Sequence, residues 1–344
     1  MISGPPLLEI RSLSKSFERP GRFLAGLTRG QPRLLQAVRD VSLSLEGGET
    51  LGLVGESGCG KSSLGRCVAG LYQPTAGAIL YRGAPLHRSP GGRRARSRRV
   101  QMIFQDPYAS LNPRLSIEAT LAEVLRVHSP AKGQGEVRDR VDQLLLTVGL
   151  SPALKAQLPH AFSGGQRQRI SIARALAVEP EIIIADEPVS ALDVSIQAQI
   201  VNLFIELRER FGLAYIFIAH DLNVVRHISH RIAVMYLGQI VELAQSQELF
   251  RDPGHPYTRS LLSAIPKPDP EHRTRIVSLE GEPPDPYAPP PGCSFNTRCP
   301  IAAEKCRIVV PELKEHRPGR LVRCHRAFEA QSAIEVRRSW DSQR

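Results

Sequence analysis

The chain has 344 residues, of which 42% are apolar and 23% charged, enough for two compact domains and incompatible with a wholly disordered chain. Its 45 Lys and Arg against 34 Asp and Glu give a formal net charge of +11 at pH 7. This excess indicates an anionic partner such as nucleotide phosphate, nucleic acid or a membrane surface, although surplus arginine also serves solubility.

The sequence shows no signal for insertion into a membrane. The first residues, MISGPPLLEIRSL, lack the basic leader and long apolar stretch of a signal peptide. The longest apolar runs, such as Ile182–Ala185 and Ala214–Ala219, are far shorter than the roughly 18 residues that a spanning helix needs. We therefore expect a cytoplasmic protein whose membrane role, if it has one, is peripheral.

Residues 1–265 alternate short apolar runs with helical stretches, a pattern typical of an α/β domain with a mainly parallel sheet. Three short apolar runs that end in polar residues are predicted as buried strands: Thr50–Val54, Glu181–Ala185 and Ala214–Ala219. Two further runs, joined near Gly238, predict a β-hairpin: Arg231–Tyr236 and Gln239–Leu243.

Two stretches of the first part are predicted as loops. Glu18–Gln36 is rich in glycine and proline, and Ser89–Arg99 carries five arginines. The arginine run is consistent with a solvated loop or with a contact to phosphate or lipid. After Ile265 the chain is rich in proline, which predicts an extended backbone. The composition thus predicts two domains, residues 1–265 and 266–344.

Residues Gly55–Ser62 match the phosphate-loop pattern G-x-x-x-x-G-K-[ST]. The loop follows the strand Thr50–Val54 and precedes a predicted helix over Leu64–Leu71, which is the context that supports this motif. Its glycines allow successive N–H groups to turn inward around an anion. Lys61 is expected at the β- and γ-phosphates, and the Ser62 hydroxyl is expected to ligate Mg²⁺.

Two further elements carry hydrolytic chemistry. The apolar strand Glu181–Ala185 ends in Asp186 and Glu187, of which the first suits Mg²⁺ binding and the second can polarise an attacking water. Ser163–Gln166 begins a second anion-binding helix, with a capping serine and two glycines. One chain thus has two phosphate-binding elements but one nucleotide loop, which predicts that two chains face each other and complete each other's site.

Six motifs occur together in the order found in the nucleotide-binding subunits of ABC transporters, and residues 8–265 resemble that family. The motifs are Gly55–Ser62, Gln105 within IFQD, Ser163–Gln166, Asp186-Glu187, Ser190–Asp193 and His220. Phe162 departs from the leucine that usually precedes the Ser-Gly-Gly-Gln element. The resemblance implies a P-loop NTPase of the ABC ATPase type, with a mainly parallel sheet core, a β-subdomain and a helical subdomain.

The resemblance also implies roles for individual residues. Glu187 is the catalytic carboxylate, assisted by Lys61, Gln105 and His220. Ser62, Gln105 and Asp186 hold Mg²⁺. The ATP contacts implied for one chain are Phe17, Gly55, Glu56, Ser57, Gly58, Cys59, Gly60, Lys61, Ser62, Ser63, Gln105, Asp186 and His220. The elements implied to act on the opposite subunit are Ser163, Gly164, Gly165 and Gln166, with Asp193 at the dimer interface.

The resemblance implies that Phe17 stacks on adenine, and core packing is the alternative role for this aromatic residue. Cys59 occupies a variable position of the phosphate loop, where a small filler is favoured over a redox switch.

The segment Asp252–Thr258, which contains His-Pro-Tyr, resembles the ATPases of oligopeptide and dipeptide importers. The phrases GESGCGKS, QDPYASLNP, FSGGQRQRI and ADEPVSALDVS are similar to the same subfamily, and KSSLGR resembles its dipeptide "F-type" subunit. This resemblance implies ATP-driven peptide import at the cytoplasmic face of the inner membrane. The implied partners are a second ATPase subunit in a heterodimer, two transmembrane permease subunits and, indirectly, an extracytoplasmic peptide-binding protein.

Four cysteines near the C-terminus, Cys293, Cys299, Cys306 and Cys324, are spaced C-x5-C-x6-C-x17-C. The spacing by itself leaves an iron–sulfur cluster, zinc, and free or disulfide-bonded cysteines open. The resemblance to peptide-importer ATPases implies a [4Fe–4S] cluster with a structural role, and His325 is expected to be a bystander.

Three alternative functions remain at this stage. A related importer of nickel, opines or sugars shares the same ATPase subunit design. A non-transport ABC ATPase acting on ribosomes or DNA fits the positive charge, but such proteins usually carry two ATPase units or a coiled-coil insertion, and no nucleic-acid partner is expected here. An iron–sulfur redox protein with an attached ATPase is the third.

Overall fold

The protein is described here by a computed structural model that covers residues 4–18, 34–86, 92–128, 133–265 and 281–329, without the side chains of residues 93–95. Much of the predicted glycine- and proline-rich loop, residues 19–33, lies outside these ranges, as do residues 87–91 and the proline-rich residues 266–280.

The strands are, in chain order, β1 (Leu8–Glu18), β2 (Leu34–Leu45), β3 (Thr50–Val54), β4 (Ala76–Tyr81), β5 (Ala84–Pro85), β6 (Val100–Ile103), β7 (Ile182–Asp186), β8 (Ala214–Ile218), β9 (Arg231–Tyr236), β10 (Gln239–Gln245), β11 (Lys314–Arg317) and β12 (Arg320–Val322). The helices are α1 (Lys61–Ala69), α2 (Gly92–Arg99), α3 (Pro107–Ser110), α4 (Ile117–His128), α5 (Gln134–Thr147), α6 (Gly164–Leu176), α7 (Val194–Phe211), α8 (Leu222–Ile228), α9 (Ser246–Arg251), α10 (Pro256–Ser263) and α11 (Glu304–Ile308). Two 3-10 turns span Pro152–Leu154 and Pro159–Ala161.

The larger sheet has eight strands in the order β11-β12-β10-β9-β3-β8-β7-β6. Its central strands, from β9 to β6, run parallel, and β3, β7 and β8 are buried along their whole length. Parallel strands that are covered on both faces need continuous apolar runs, which is why these strands could be predicted from the sequence. Their carboxyl ends meet at one edge, where such sheets bind ligands.

Two apolar cores cover the two faces of this sheet. Within β7, Ile182 and Ile184 join the core formed with α1 and the smaller antiparallel sheet, whose order is β2-β1-β4-β5. The intervening Ile183 and Ala185 join the core formed with helices α4 to α7. This division follows from the alternation of side chains along a strand.

The C-terminal region adds to the larger sheet. Strand β12 pairs antiparallel with β10, and Phe295 is buried in the core shared with the helices. The last described segment therefore packs on the same sheet that carries the phosphate loop.

The predicted strands and hairpin are present, with ends that differ by one or two residues. The arginine run was wrongly predicted as a loop over 92–99, which form α2; arginine has a high helix propensity, and Arg96 donates to the Gly70 carbonyl at 3.0 Å. Leu34–Gln36, also predicted as loop, belong to β2. None of the helices in the described ranges has the length and apolar character needed to cross a membrane.

Candidate active site

The phosphate loop lies between β3 and α1, as predicted, and two of its glycines make contacts that exclude a side chain. Gly55 has φ of 150°, and a Cβ there would lie 2.1 Å from the Met235 carbonyl oxygen. Gly60 has φ of 110°, and its Cβ would lie 2.0 Å from the carbonyl oxygen of Ala37. These positions combine a backbone conformation that favours glycine with close backbone approach, so the loop packs directly on β2 and β9.

Lys61 and Ser62 begin α1 and point toward the loop and the neighbouring strand end. The buried Lys61 ammonium donates to the carbonyl oxygens of Gly55 at 2.7 Å and Glu56 at 2.9 Å. The Ser62 hydroxyl donates to Asp186 Oδ1 at 2.8 Å. Burial raises the pKa of Asp186, and the hydrogen bond from Ser62 and the charge of Arg66 oppose this rise. A hydroxyl and a carboxylate side by side are the oxygen ligands that Mg²⁺ prefers, so these two residues fit a magnesium site.

Glu187 is held in a strained conformation just beyond β7. Its φ is 48°, which is uncommon for a residue with a side chain, and its N–H donates to the Ile218 carbonyl oxygen at 2.9 Å. Gln105 Nε2 donates to Glu187 Oε2 at 3.1 Å, and His220 Nδ1 lies 3.3 Å from the same oxygen. The structure thus brings three predicted catalytic residues together at the carboxyl ends of β6, β7 and β8.

A pocket beside the phosphate loop is lined by residues that the sequence predicted for the site and by others that it did not predict. Ser57, Gly58, Cys59, Gly60, Lys61, Ser62, Ser63, Gln105 and Glu187 line it together with Leu35, Gln36, Ala37, Leu237, Gly238 and Pro286. The second group was missed because its members belong to no chemical motif and reach the pocket only through the tertiary fold: Leu35 to Ala37 lie in β2, Leu237 and Gly238 join β9 to β10, and Pro286 lies in the C-terminal region. The sequence predicted Gly238 only as part of a hairpin turn, whereas in the structure its N–H donates to the carbonyl oxygen of Cys59 in the phosphate loop at 2.8 Å. Cys59 is a buried free thiol whose pKa is raised by burial, which agrees with a filler role.

Other predicted residues lie elsewhere on the described part of the chain. Phe17 packs edge-on against Tyr72, with ring centroids 5.2 Å apart, and does not line the pocket, so its adenine contact stays a prediction. Ser163 caps α6 in a capping box with Gln166, and this exposed helix start is also outside the pocket. Phe162, the departure from leucine, is buried in the helical core. Asp193 caps α7 and is followed by Val194, which is 82% exposed.

The four C-terminal cysteines are free thiols that line one small cavity together with His255 and Phe295. Burial raises the pKa of Cys299 to about 11 and that of Cys324 to about 12. Four thiols around one cavity are a chemically suitable donor set for a metal group, which would favour the thiolate form. In the described residues, however, no group of three or more His, Cys, Asp or Glu side chains is placed to hold a metal ion.

Comparison with known proteins agrees with this geometry. Residues 38–190 match the family model "ABC transporter", and residues 241–306 match "Oligopeptide/dipeptide transporter, C-terminal region". The chain is 51% identical to a putative oligopeptide transport ATP-binding protein, YkfD, of Bacillus subtilis, over 96% of this chain and 99% of that protein. It is 55% identical to the oligopeptide transport ATP-binding protein OppF of Escherichia coli K12, over 82% and 86% of the two chains.

Solved structures show the same fold. CbiO1 of Clostridium perfringens, part of an ABC transporter complex, aligns with a TM-score of 0.61 and 26% identity, over 72% of this chain and 92% of that one. The ATP-binding cassette MJ0796, in a dimeric post-hydrolysis state bound to ADP and phosphate, aligns with a TM-score of 0.60 and 26% identity, over 70% and 98%.

The fold and the family match therefore define an ATPase of the ABC class. Within that class, the chain belongs to the family of ABC transporter ATP-binding proteins that carry the oligopeptide/dipeptide transporter C-terminal region.

Proposed function

We propose that this chain binds and hydrolyses ATP to energise the import of oligopeptides or dipeptides through an ABC transporter. The observation that carries the ATPase role is the meeting of Gln105, Glu187 and His220 beside Lys61 and Ser62 at one edge of the sheet. The peptide cargo is supported by the oligopeptide transport names of the relatives and by the C-terminal family match.

In the proposed reaction, the phosphate loop binds the β- and γ-phosphates, with the Lys61 ammonium offsetting their charge. Ser62 and Asp186 would hold Mg²⁺ together with Gln105, and the metal would stabilise charge that develops on the phosphate oxygens. Glu187 Oε2 orients the attacking water and accepts its proton, while His220, 3.3 Å from that oxygen, contacts the γ-phosphate. Phe17 would stack on the adenine.

A second ATPase subunit is proposed to complete the site. At the capped helix start Ser163–Gln166, Ser163 and Gly164 are exposed. None of the four residues lines the pocket of its own chain, and a helix start has the backbone donors to bind a γ-phosphate. Asp193, which is proposed to lie at the dimer interface, caps α7. Closure around two ATP molecules would pull on two membrane permease subunits, and hydrolysis would release them. A heterodimer at the cytoplasmic membrane face, supplied by an extracytoplasmic peptide-binding protein, is part of this proposal.

The test is purification of the membrane complex that contains this chain, reconstitution in lipid vesicles, and measurement of ATPase rate and peptide uptake on the same sample. Addition of di- or oligopeptides with the binding protein is expected to stimulate ATP hydrolysis and uptake. Stimulation by nickel, opines or sugars without a response to peptides would show that the proposed cargo is wrong, while the proposed ATPase role would stand.

We also propose that the four C-terminal cysteines hold a [4Fe–4S] cluster with a structural role. The support is chemical, since Cys293, Cys299, Cys306 and Cys324 all line one cavity. Iron, sulfide and zinc are measured in the full chain purified without oxygen, where about four iron and four sulfide per chain are expected. Cys324→Ser should lower that content and Cys67→Ser, in α1, should not; stoichiometric zinc without iron would contradict the cluster.

A further inference from the structure

The phosphate loop carries a carboxylate, Glu56, that is held by an arginine from the C-terminal region. Arg298 Nη1 donates to Glu56 Oε2 at 2.9 Å, and Nη2 donates to Glu56 Oε1 at 3.1 Å. The pair spans 242 positions of the chain, and the Arg298 side chain is only 6% exposed. Two parallel hydrogen bonds to one carboxylate fix the position and orientation of both groups more firmly than a single contact.

A tyrosine of α10 holds the backbone of the same loop residue. The Glu56 N–H donates to Tyr257 Oη at 2.9 Å, and Tyr257 is fully buried. Its ring packs on Tyr236 and Phe295, with centroids 4.6 and 5.5 Å away. Both the side chain and the backbone of Glu56 are thus fixed by residues outside the phosphate-loop motif.

The charge of Glu56 gives this contact a consequence for nucleotide binding. The loop binds a polyanion, and a carboxylate within it opposes that binding unless a cation compensates its charge. Arg298 supplies this compensation through its two hydrogen bonds to Glu56, and neither residue is among those that line the pocket. The Lys61 ammonium donates to the backbone carbonyl oxygens of Gly55 and Glu56 in the same loop.

We propose that Arg298 is a positioning residue for ATP binding: it neutralises Glu56 and fixes the phosphate loop, so that the C-terminal region takes part in the nucleotide site. The ligand class is a nucleoside triphosphate, as for the ATPase itself. Arg298 is thereby added to the residues that support the nucleotide site, although it belongs to none of the sequence motifs and does not line the pocket.

The test uses the full-length chain and the affinity for a non-hydrolysable ATP analogue with Mg²⁺, measured by titration calorimetry at low and high salt. Arg298→Gln leaves Glu56 uncompensated and is expected to weaken binding roughly three- to tenfold at low salt, with a smaller effect at high salt. In the double variant Glu56→Gln/Arg298→Gln the uncompensated charge is absent, so its affinity should be higher than that of Arg298→Gln and closer to that of the native chain.

A matched control exists at the other end of β3, where Arg231 makes a two-point ion pair with Glu49 at 2.6 and 3.2 Å. Arg231→Gln should lower the melting temperature without changing ATP affinity. A purely structural role of Arg298 predicts instead that its single and double variants bind ATP equally well. Native affinity in Arg298→Gln, or equal weakening in the single and double variants, would overturn the proposal.

If Arg298→Gln does not fold, Arg298→Lys provides the second comparison, because lysine keeps the charge but loses the two-point geometry. At low salt, we expect Arg298→Lys to bind the ATP analogue either as tightly as the native chain or up to about threefold more weakly. Weakening by more than tenfold, with no dependence on salt, would show that charge compensation is not the function of Arg298.

Discussion

Ser62 and Asp186, 124 positions apart in the sequence, are joined by a hydrogen bond of 2.8 Å. One begins the first helix after the phosphate loop and the other ends a strand of the same parallel sheet. Because both stand at the carboxyl edge of the sheet, a serine and an aspartate from distant motifs form one pair of oxygen ligands. The pair is the structural basis for the proposed magnesium site.

Replacement of the carboxylate tests this pair. Asp186→Asn keeps the size of the side chain and an oxygen that can accept from Ser62, but removes the negative charge that attracts Mg²⁺. We expect a loss of ATP turnover of about 100-fold or more, partly recovered at high Mg²⁺ concentration. Turnover is measured against Mg²⁺ concentration. The control is Asp142→Asn, which breaks an ion pair with Lys155 at 2.6 Å in the helical region; an equal loss there would contradict the assignment.

Glu187→Gln tests the catalytic carboxylate. The amide retains an oxygen that can accept from Gln105, so ATP should still bind, but it cannot take a proton from water. We expect turnover to fall by roughly 10² to 10⁴-fold while the ATP-bound dimer accumulates, as measured by phosphate release and by size-exclusion chromatography. Glu179→Gln, at an exposed ion pair with Arg140, serves as the control. Native turnover in Glu187→Gln would remove this residue from its proposed role.

Ser163→Ala tests whether Ser163 contacts the ATP bound by its own chain or the ATP bound by the opposite subunit of a dimer. Loss of the helix cap should cost about 1 kcal/mol of stability. Since Ser163 lies outside the pocket of its own chain, ATP affinity of the isolated full-length chain is expected to stay unchanged while turnover of the complex falls at least tenfold. Ser151→Ala, a cap on a 3-10 turn, is the matched control. A parallel loss of ATP affinity in the isolated chain would place Ser163 in its own nucleotide site.

His255 makes stability depend on acid pH. Its buried Nδ1 accepts from the Tyr257 N–H at 3.0 Å, and burial lowers its pKa from 6.5 to about 3. The unfolded chain binds the proton first, so stability is full above pH 6.5 and falls as the pH drops toward 3.

Between pH 6.5 and 5.0 this loss amounts to about 2 kcal/mol of unfolding free energy. His255→Asn keeps an acceptor for the Tyr257 N–H and removes the titration, so its unfolding free energy should vary less over this range, as measured by denaturant titration. His160→Asn removes an exposed histidine as a control. An unchanged difference between pH 6.5 and 5.0 in His255→Asn would show that other groups cause the acid sensitivity.

Local chemistry in the sequence was sufficient to predict a loop, a strand end and a capped helix start that the structure contains, and their roles in binding phosphate and activating water stay predictions. The phosphate loop, the Asp186-Glu187 strand end and the Ser163 cap each combine fixed residue types with short spacing, because backbone turns, helix starts and strand ends are local structures. The central strands could also be predicted from the sequence, since burial on both faces requires continuous apolar residues. Helix α2 was missed because a run of arginines lacks the apolar periodicity by which a helix is usually recognised.

Tertiary structure alone decided which distant residues meet. No local pattern shows that Gly238 bonds to Cys59, that Leu35 to Ala37 line the pocket, or that Arg298 holds Glu56 over 242 positions. These contacts depend on the order in which strands pair and on the C-terminal chain returning to the edge of β10. Arg298 lies between two cysteines and Glu56 occupies a variable loop position, so neither residue points to the other in a single sequence. Their attraction becomes specific only when folding brings them together and buries the arginine.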